Sequence, residues 1–334
     1  MSDDGLKLTA YAGERDRVGD GFLADALVDV YARHGLRTSV VMRGVEGFGP
    51  GRHVHTDRLL TPSEDLPLVS VAVDARSRIE AALPEVEALR PRGLVTLERA
   101  RLLSERLDGV EPPHEGTKLT VYVGRHERAA GRLAHEAIVD LLRRGGVAGA
   151  SVLLGVDGTV RGARRRAAFF GRNAAVPLMA VAVGEGPRIA RILPELGALL
   201  PRPLATLERV EVCKRDGVLL AEPRVLPLAA APGLEVRQKL TVYAGEEAGL
   251  VRRLREAGAA GATSLRGIWG FHGDHAPHGD RLLQLRRRVP VVTVVIDTPE
   301  RIRAWFRIVD EVTRQTGLVT SEMVLALRAT GAGA

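Results

Sequence analysis

The stretch Lys7-Leu-Thr-Ala-Tyr-Ala-Gly13 decides the fold, because the chain repeats it twice more. It returns as Lys118-Leu-Thr-Val-Tyr-Val-Gly124 and as Lys239-Leu-Thr-Val-Tyr-Ala-Gly245. Each copy also ends in a related segment: Leu94-Val-Thr-Leu-Glu98, Leu204-Ala-Thr-Leu-Glu208 and Leu318-Val-Thr-Ser-Glu322. The opening lysines are roughly 110 to 120 residues apart, the size of a small domain rather than of a solenoid repeat. The sequence therefore predicts three tandem domains, at 6–104, 117–213 and 238–328.

The periodicity within a copy predicts the order β-α-β-β-α-β. In the first copy, residues 6–12 alternate in polarity as a strand does, and apolar residues at helical spacing predict helices over 22–34 and 76–89. This order is the ferredoxin-like unit of the α+β class. Its strands are apolar nearly throughout, which predicts sheets that are buried on both faces. We therefore expect three ferredoxin-like domains closed into an intramolecular pseudo-trimer; the alternative is separate domains that each dimerise with another chain.

The third copy and the connectors depart from this plan. Gly245 and Arg266 are closer in sequence than Gly13 and Arg43, so the first helix of the third copy should be short. The connectors 104–117 and 214–238 contain prolines typical of extended linkers. The second connector could instead add a hairpin, because apolar residues flank the turn signal Asp216-Gly217.

Composition limits the class of protein. The chain has 334 residues, a net charge of +7, 45% hydrophobic residues and a single cysteine, Cys213. A disulfide framework or a cysteine zinc cluster is therefore excluded. The sequence also shows no membrane span and no signal peptide, so we expect a cytoplasmic protein that does not insert into a membrane. The basic excess is too thin to predict nucleic-acid binding unless it is clustered.

The repeated motifs resemble those of domain-of-unknown-function family 190. They comprise Lys-Leu-Thr-Val-Tyr-Val-Gly, then Arg-Gly-(Val/Ile)-x-Gly-Phe and His-x-x-Arg-Leu-Leu, then Pro and an apolar strand. The resemblance covers nearly the whole chain three times, and this family resembles the PII-like (GlnB-type) superfamily of signalling proteins. The resemblance implies effector sites in clefts between neighbouring units, and a long loop between the second and third strands that reports the ligand to a partner.

That loop supplies the candidate ligand-binding residues. In the first copy they are Arg43, Gly44, Gly47, Phe48, Gly49, His55 and Arg58; in the third copy they are Arg266, Gly267, Gly270, Phe271, His278 and Arg281. Glycines let backbone N–H groups line an anion-sized concavity, arginine binds phosphate or carboxylate, and phenylalanine can stack on a base. The alternative is that these residues merely form turns at the strand ends, with the arginine solvated.

The second copy breaks the pattern. Its equivalent segment begins at Leu154 and lacks the first arginine, the phenylalanine and the histidine, while four arginines cluster at Arg161, Arg164, Arg165 and Arg166. A site that needs the missing groups should be altered or lost there. The arginine cluster is the best local candidate for nucleic acid or an acidic partner, although a solvated charged loop also explains it.

Other chemistries are weaker hypotheses. Closely spaced histidines near Asp57 and Asp274 suggest zinc or copper, but the copies agree only at His55 and His278. No serine or cysteine stands in a nucleophile setting, and Cys213 ends an apolar strand as a buried residue would. Tyr11, Tyr122 and Tyr243 recur at one strand position and are interpreted as packing residues.

We therefore predict a non-enzymatic, PII-like regulatory protein. The sequence indicates no particular cofactor, and we expect the protein to bind a small anionic effector, with a nucleotide as one candidate. Its partner would be an unidentified protein target, with a membrane transporter as one candidate, and not nucleic acid. Two alternatives stay open: a protein-interaction scaffold without a ligand, and nucleic-acid binding through the cluster Arg161–Arg166.

Overall fold

The computed structural model describes residues 4–49, 55–56, 65–89, 93–105, 107–111, 114–166, 176–245, 249–272, 278–279 and 290–327. The first repeat contains β1 (Asp4–Gly13), β2 (Arg17–Val18), β3 (Gly21–Phe22), α1 (Leu23–Arg33), β4 (Thr38–Arg43), β5 (Glu46–Phe48), β6 (His55–Thr56), β7 (Pro67–Ala75), α2 (Arg76–Ala88) and β8 (Leu94–Ser104). The second contains β9 (Gly116–Gly124), β10 (Arg128–Ala129), β11 (Arg132–Leu133), α3 (Ala134–Arg144), β12 (Gly149–Leu154), β13 (Asp157–Val160), β14 (Ala163–Arg164), β15 (Pro177–Glu185), α4 (Gly186–Leu199), β16 (Leu204–Arg209), β17 (Glu211–Arg215) and β18 (Val218–Leu219). The third contains β19 (Leu234–Ala244), α5 (Leu250–Glu256), β20 (Ala262–His272), β21 (His278–Gly279), β22 (Val291–Asp297), α6 (Pro299–Val312) and β23 (Leu318–Leu327).

The expectation of three ferredoxin-like domains in an intramolecular pseudo-trimer is wrong for this structure. Nineteen of the 23 described strands form one continuous antiparallel sheet, and the pairs β2–β3 and β10–β11 form two separate two-stranded sheets. Beside it, the part of the chain that is described has only six helices, of 7 to 14 residues. The repeats do not each form a sheet of their own, because strands of different repeats are hydrogen-bonded to each other. Sequence periodicity shows which face of a strand is buried, but it does not show that its edge is paired with another repeat.

Three sets of strand pairs join the repeats, and we call them seams. The first seam joins repeats one and two through β4–β13 and β8–β16. The second joins repeats two and three through β12–β20 and β17–β23. The third joins repeats three and one through β20–β5 and β23–β8. The edge strands of every repeat are therefore paired, which satisfies backbone groups that an open sheet would expose.

Alternation along the strands sorts the side chains between two kinds of core. In β1, Leu6, Leu8 and Ala10 face the helices of their own repeat. Residues of the opposite face meet their counterparts from the other repeats in one central cluster, which includes Val71, Tyr122 and Tyr243. The strands of the repeats are therefore buried on both faces, as the apolar runs predict.

One local prediction is confirmed, and for the second connector the structure shows the hairpin that the sequence offered as an alternative. The first helix of the third repeat, α5, has 7 residues, whereas α1 and α3 have 11 each. The second connector forms the β17–β18 hairpin, and its turn places Asp216 at φ 49° and Gly217 at φ 80°. Glycine tolerates this left-handed backbone without strain.

Candidate functional site

The predicted loop residues of the first and third repeats lie at the seams. Glu46–Phe48 of β5 pairs with Ala262–Ser264 of the third repeat. The equivalent segment of the third repeat lies in β20, where Gly267 and Gly270 pair with the second repeat. The Arg-Gly-x-x-Gly-Phe segment therefore forms the join between repeats at the base of each loop.

The glycines of this segment allow backbones to approach closely. A Cβ at Gly47 would lie 2.7 Å from the carbonyl oxygen of Ala262, and one at Gly270 would lie 2.3 Å from that of Ala150. Both distances are shorter than any relaxed contact, so only glycine fits. The N–H of Gly44 donates to the carbonyl of Pro67 at 2.7 Å. The sequence predicts that these glycines allow an anion to approach the backbone closely. In the described segments the group that approaches them is a backbone carbonyl of another segment.

Phe48 and Phe271 are buried in the cores of neighbouring repeats. Phe48 is 5% exposed and packs with residues of the third repeat, whereas Phe271 is 1% exposed and packs with residues of the second. In this conformation neither ring is open to a ligand. Each acts as an apolar anchor that crosses a seam.

Arg43, one of the predicted binding residues of the first repeat, is accessible to solvent. Its side chain is 52% exposed, and its guanidinium lies 2.8 Å from Glu14 in a surface ion pair. His55 pairs in register with Gly47, and His278 pairs in the same way with Gly270. The backbone therefore brings each histidine to its loop base, as the matched spacing suggests.

Some predicted residues lie outside this description. Arg58 and Arg281, with Asp57 and Asp274 of the metal hypothesis, are not among the described residues, and the side chains of the two strand histidines are not described either. Gly49 follows β5, and Arg266 lies within β20 beside Gly267. The assignment of all these residues to a ligand stays a prediction.

Two members of the arginine cluster of the second repeat contact carboxylates. Arg164 lies 2.5 Å from Asp25, 2.6 Å from Asp29 and 2.6 Å from Asp157. Arg166 lies 3.0 Å from Asp25. Asp25 and Asp29 belong to α1, so this cluster clamps the first repeat to the second. Two of its four arginines are therefore committed to a contact within the protein.

A buried ring of six charged residues lies at the centre of the sheet, and sequence reasoning missed it. It alternates lysine and glutamate in the order Lys7, Glu208, Lys118, Glu322, Lys239 and Glu98, and we call it the Lys–Glu ring. Each lysine is in register with the glutamate of its own repeat, as Lys118 is with Glu208. Each lysine also reaches the glutamate of another repeat, as Lys118 does with Glu322 at 2.7 Å. The ring crosses all three seams.

The ring is electrically balanced and almost dry. Its six side chains are between 1% and 7% exposed. Burial alone would raise the pKa of Glu98, but the ammonium groups of Lys239, Lys7 and Lys118 hold that pKa well below 4.5. Burial alone would lower the pKa of Lys7, but Glu208, Glu98 and Glu322 hold it well above 10.5. The charges of Glu98 and Lys7 are therefore retained at neutral pH, because each side chain faces two groups of the opposite sign.

The three ring carboxylates do not form a metal site in this arrangement. Their oxygens lie within 4.8 Å of one another, as metal ligands would. However, Glu98 Oε2 already accepts from Lys239 at 2.7 Å, while its Oε1 accepts from the hydroxyls of Thr9 and Thr96. Three ammonium groups supply the positive charge that a cation would supply. The ring is therefore a structural network.

Tyrosines and the cysteine occupy the packing positions expected for them. Tyr122 and Tyr243 are buried in the central cluster, with Tyr11 packed against it. Cys213 is buried in the core of the third repeat, and burial raises the pKa of its thiol to about 12. A thiol with such a pKa is not a nucleophile at neutral pH.

Comparison with known proteins identifies the repeat unit. The family model DUF190, described as "Uncharacterized ACR, COG1993", matches residues 5–102, 116–212 and 238–326. A "UPF0166 protein" of Aquifex aeolicus (strain VF5) is 32% identical over 68 residues, which cover 20% of this chain and 71% of that protein. None of the described helices has the length and apolar character needed to cross a membrane.

Among solved structures, an aspartate kinase from Synechocystis aligns with 96% of this chain at 10% identity and a TM-score of 0.27. The chain spans 43% of the length of that kinase. The three family matches, by contrast, coincide with the three repeats seen in the sequence. The chain belongs to the DUF190 family and carries three tandem copies of its repeat.

Proposed function

We propose that this protein is a non-enzymatic, PII-like regulator that senses a small anion. Membership of DUF190, with its likeness to PII-like proteins, suggests a regulatory role. The anion would bind at the base of the loops that follow Phe48 and Phe271, with Arg43 and Arg266 as its charged ligands. The loops would then carry the signal to a protein target.

One observation carries the proposal: the segment that bears Arg43 also forms a seam. The N–H of Val45, two residues after Arg43, donates to the carbonyl of Ser264 in the third repeat at 2.8 Å. A ligand that moves Arg43 therefore acts directly on the contact between two repeats. Coupling of this kind turns local binding into a change that a partner can read.

The ion pair at Arg43 leaves room for an anion to compete. Both side chains are substantially exposed, Arg43 at 52% and Glu14 at 37%. Surface pairs of this kind contribute about 0–1 kcal/mol. A phosphate or carboxylate that makes two parallel hydrogen bonds with the guanidinium can therefore displace Glu14 at little cost.

Isothermal titration calorimetry tests the proposal. The wild-type protein is titrated with adenine nucleotides, cyclic dinucleotides, bicarbonate and fluoride, and we expect saturable binding of one of these classes. Arg43→Ala should weaken that binding at least about tenfold, since a charge-assisted bidentate contact is lost. Arg33→Ala is the matched control, because Arg33 is 59% exposed and forms a similar ion pair with Glu85 at 2.6 Å.

Three results would count against the proposal. No heat with any member of the panel would leave sensing without support. Equal weakening by Arg43→Ala and Arg33→Ala would remove the loop base as the site. A protein target captured equally well with and without effector would favour the scaffold alternative.

A further inference from the structure

The third seam, between repeats three and one, has the shortest strand pairing of the three in the described residues. It pairs Glu46–Phe48 with Ala262–Ser264, and only Leu325 and Ala326 of β23 with β8. The first seam is longer, because it pairs all of Asp157–Val160 with β4 and residues 204–207 with 101–104. The second seam pairs residues 149–153 with β20 and also pairs β17 with β23. Fewer backbone hydrogen bonds therefore hold the third seam.

The helix that covers the third seam is also the shortest. The first helix of each repeat lies over one seam: α1 contacts β13, α3 contacts β20, and α5 contacts β5 and β20. With 7 residues, α5 provides two turns where α1 and α3 provide three. Arg164 additionally fixes α1 across the first seam through Asp25 and Asp29.

The order of the repeats along the chain also distinguishes the third seam from the other two. Residues 105–115 link repeats one and two, and residues 216–233 link repeats two and three, but repeats one and three are not consecutive in the chain. The Lys–Glu ring does not compensate for the weaker third seam. Each of the three seams is crossed by one lysine–glutamate contact of the ring, so the ring does not favour the third seam over the others. If the third seam opens, Lys239 keeps Glu322 and Glu98 keeps Lys7.

We propose that the third seam opens as a unit while the first and second seams stay closed. The protein is thus a closed body with one built-in opening, located where the Arg43 segment meets the third repeat. Opening frees the edges of β5 and β20 and gives access to the central cluster. This inference rests on strand pairing, helix length and connectivity, and it holds whether or not the protein binds an anion.

Amide hydrogen exchange of the wild-type protein, resolved by NMR, tests the proposal at two matched positions. The N–H of Val45 donates across the third seam to Ser264 at 2.8 Å, and the N–H of Val156 donates across the first seam to Val41 at 2.7 Å. Each valine follows a glycine, so the intrinsic exchange rates are nearly equal. We expect Val45 to exchange at least about tenfold faster than Val156 under conditions in which exchange reports opening equilibria. Equal exchange, or faster exchange at Val156, would overturn the proposal.

A glycine variant tests whether the seams open independently. A Cβ at Gly47 meets the Ala262 carbonyl at 2.7 Å, so Gly47→Ala should wedge the third seam. We expect Val45 to exchange at least about tenfold faster than in the wild type, with Val156 changed less than about twofold. An equal acceleration at both valines would show that the whole body opens together, and would overturn the proposal.

Discussion

Replacing Lys118 by methionine would test the energetic role of the Lys–Glu ring. The ammonium of Lys118 lies 2.9 Å from Glu208 and 2.7 Å from Glu322, and it bridges the second and third repeats. After Lys118→Met these two carboxylates would each keep one lysine, Lys7 and Lys239, and the ring would carry one uncompensated negative charge. Methionine retains most of the length of the side chain, so the change removes charge with little change in packing.

The expected loss follows from burial. Removing one partner of a buried, hydrogen-bonded ion pair costs about 3–5 kcal/mol, because the other charge stays buried and unpaired. Arg132→Met is the matched control: Arg132 lies 2.6 Å from Asp140, but it is 50% exposed. A pair of that kind contributes about 0–1 kcal/mol. For a chain of 334 residues these losses correspond to a fall in Tm of about 4–7 °C for Lys118→Met and at most about 1.5 °C for the control.

Differential scanning calorimetry at pH 7 measures both variants against the wild type. The double variant Lys118→Met/Glu322→Gln removes the uncompensated charge and should recover part of the lost Tm, because the ring is balanced again. An equal fall in Tm for Lys118→Met and Arg132→Met would refute the reasoning. It would mean that the ring is open to solvent or that its contacts between repeats do not form.

Three further predictions concern stability and access. The pKa of Glu98 is held below 4.5 and that of Lys7 above 10.5, so the stabilisation from each charge is lost only as pH falls through the former pKa or rises through the latter. Burial lowers the pKa of His114 and His135, so their protonation costs stability below about pH 6.5. Tm should therefore stay near its maximum between about pH 7 and pH 10, and a steep fall within that range would contradict this. Gly270→Ala should lower the free energy of unfolding in urea by about 2 kcal/mol or more, because its Cβ would meet a carbonyl at 2.3 Å. Gly49→Ala should lower it by less than about 1 kcal/mol, because no atom lies within 4 Å of the added Cβ. Similar losses for the two variants would refute the role of close approach. Cys213 should react with a thiol reagent only as fast as the protein unfolds, since its pKa is raised to about 12 by burial, and rapid reaction of the folded protein would show that the thiol is exposed.

The repeats and their local elements could be predicted from the sequence. The recurrence of Lys-Leu-Thr-x-Tyr-x-Gly fixes the three copies, and the missing residues before Arg266 account for the short α5. The alternation within this motif also shows that lysine, threonine and tyrosine share one face of the strand. Periodicity reports such local features because the geometry of a strand or a helix depends on neighbouring residues alone.

The pairing between repeats could not be predicted in the same way. Which strand lies beside Glu46–Phe48 depends on how the edges of distant segments meet, and alternation carries no information about that. The prediction of three ferredoxin-like domains in an intramolecular pseudo-trimer is wrong for this reason. The sequence predicts an anion cradle at the glycines of the loop base, and that assignment stays a prediction. In the described segments these glycines let one backbone approach another.

The Lys–Glu ring left a signal that could have been used. Lys7 and Glu98 recur at equivalent positions in all three copies, within strands that are rich in apolar residues. A lysine in a strand is usually taken as exposed, since charged residues are rarely buried unless they are paired. Three lysines matched by three glutamates supply that pairing, so the recurrence itself indicates a buried balanced network.

A double-mutant cycle between Lys118 and Glu322 tests most directly the claim that the three repeats form one connected body. These residues are 204 positions apart in the chain and belong to different repeats, yet their charged atoms lie 2.7 Å apart. The cycle compares urea unfolding of the wild type, Lys118→Met, Glu322→Gln and the double variant. We predict a coupling free energy of at least about 1 kcal/mol. Additive effects, to within about 0.3 kcal/mol, would show that the two residues do not meet and would contradict the connected body described above.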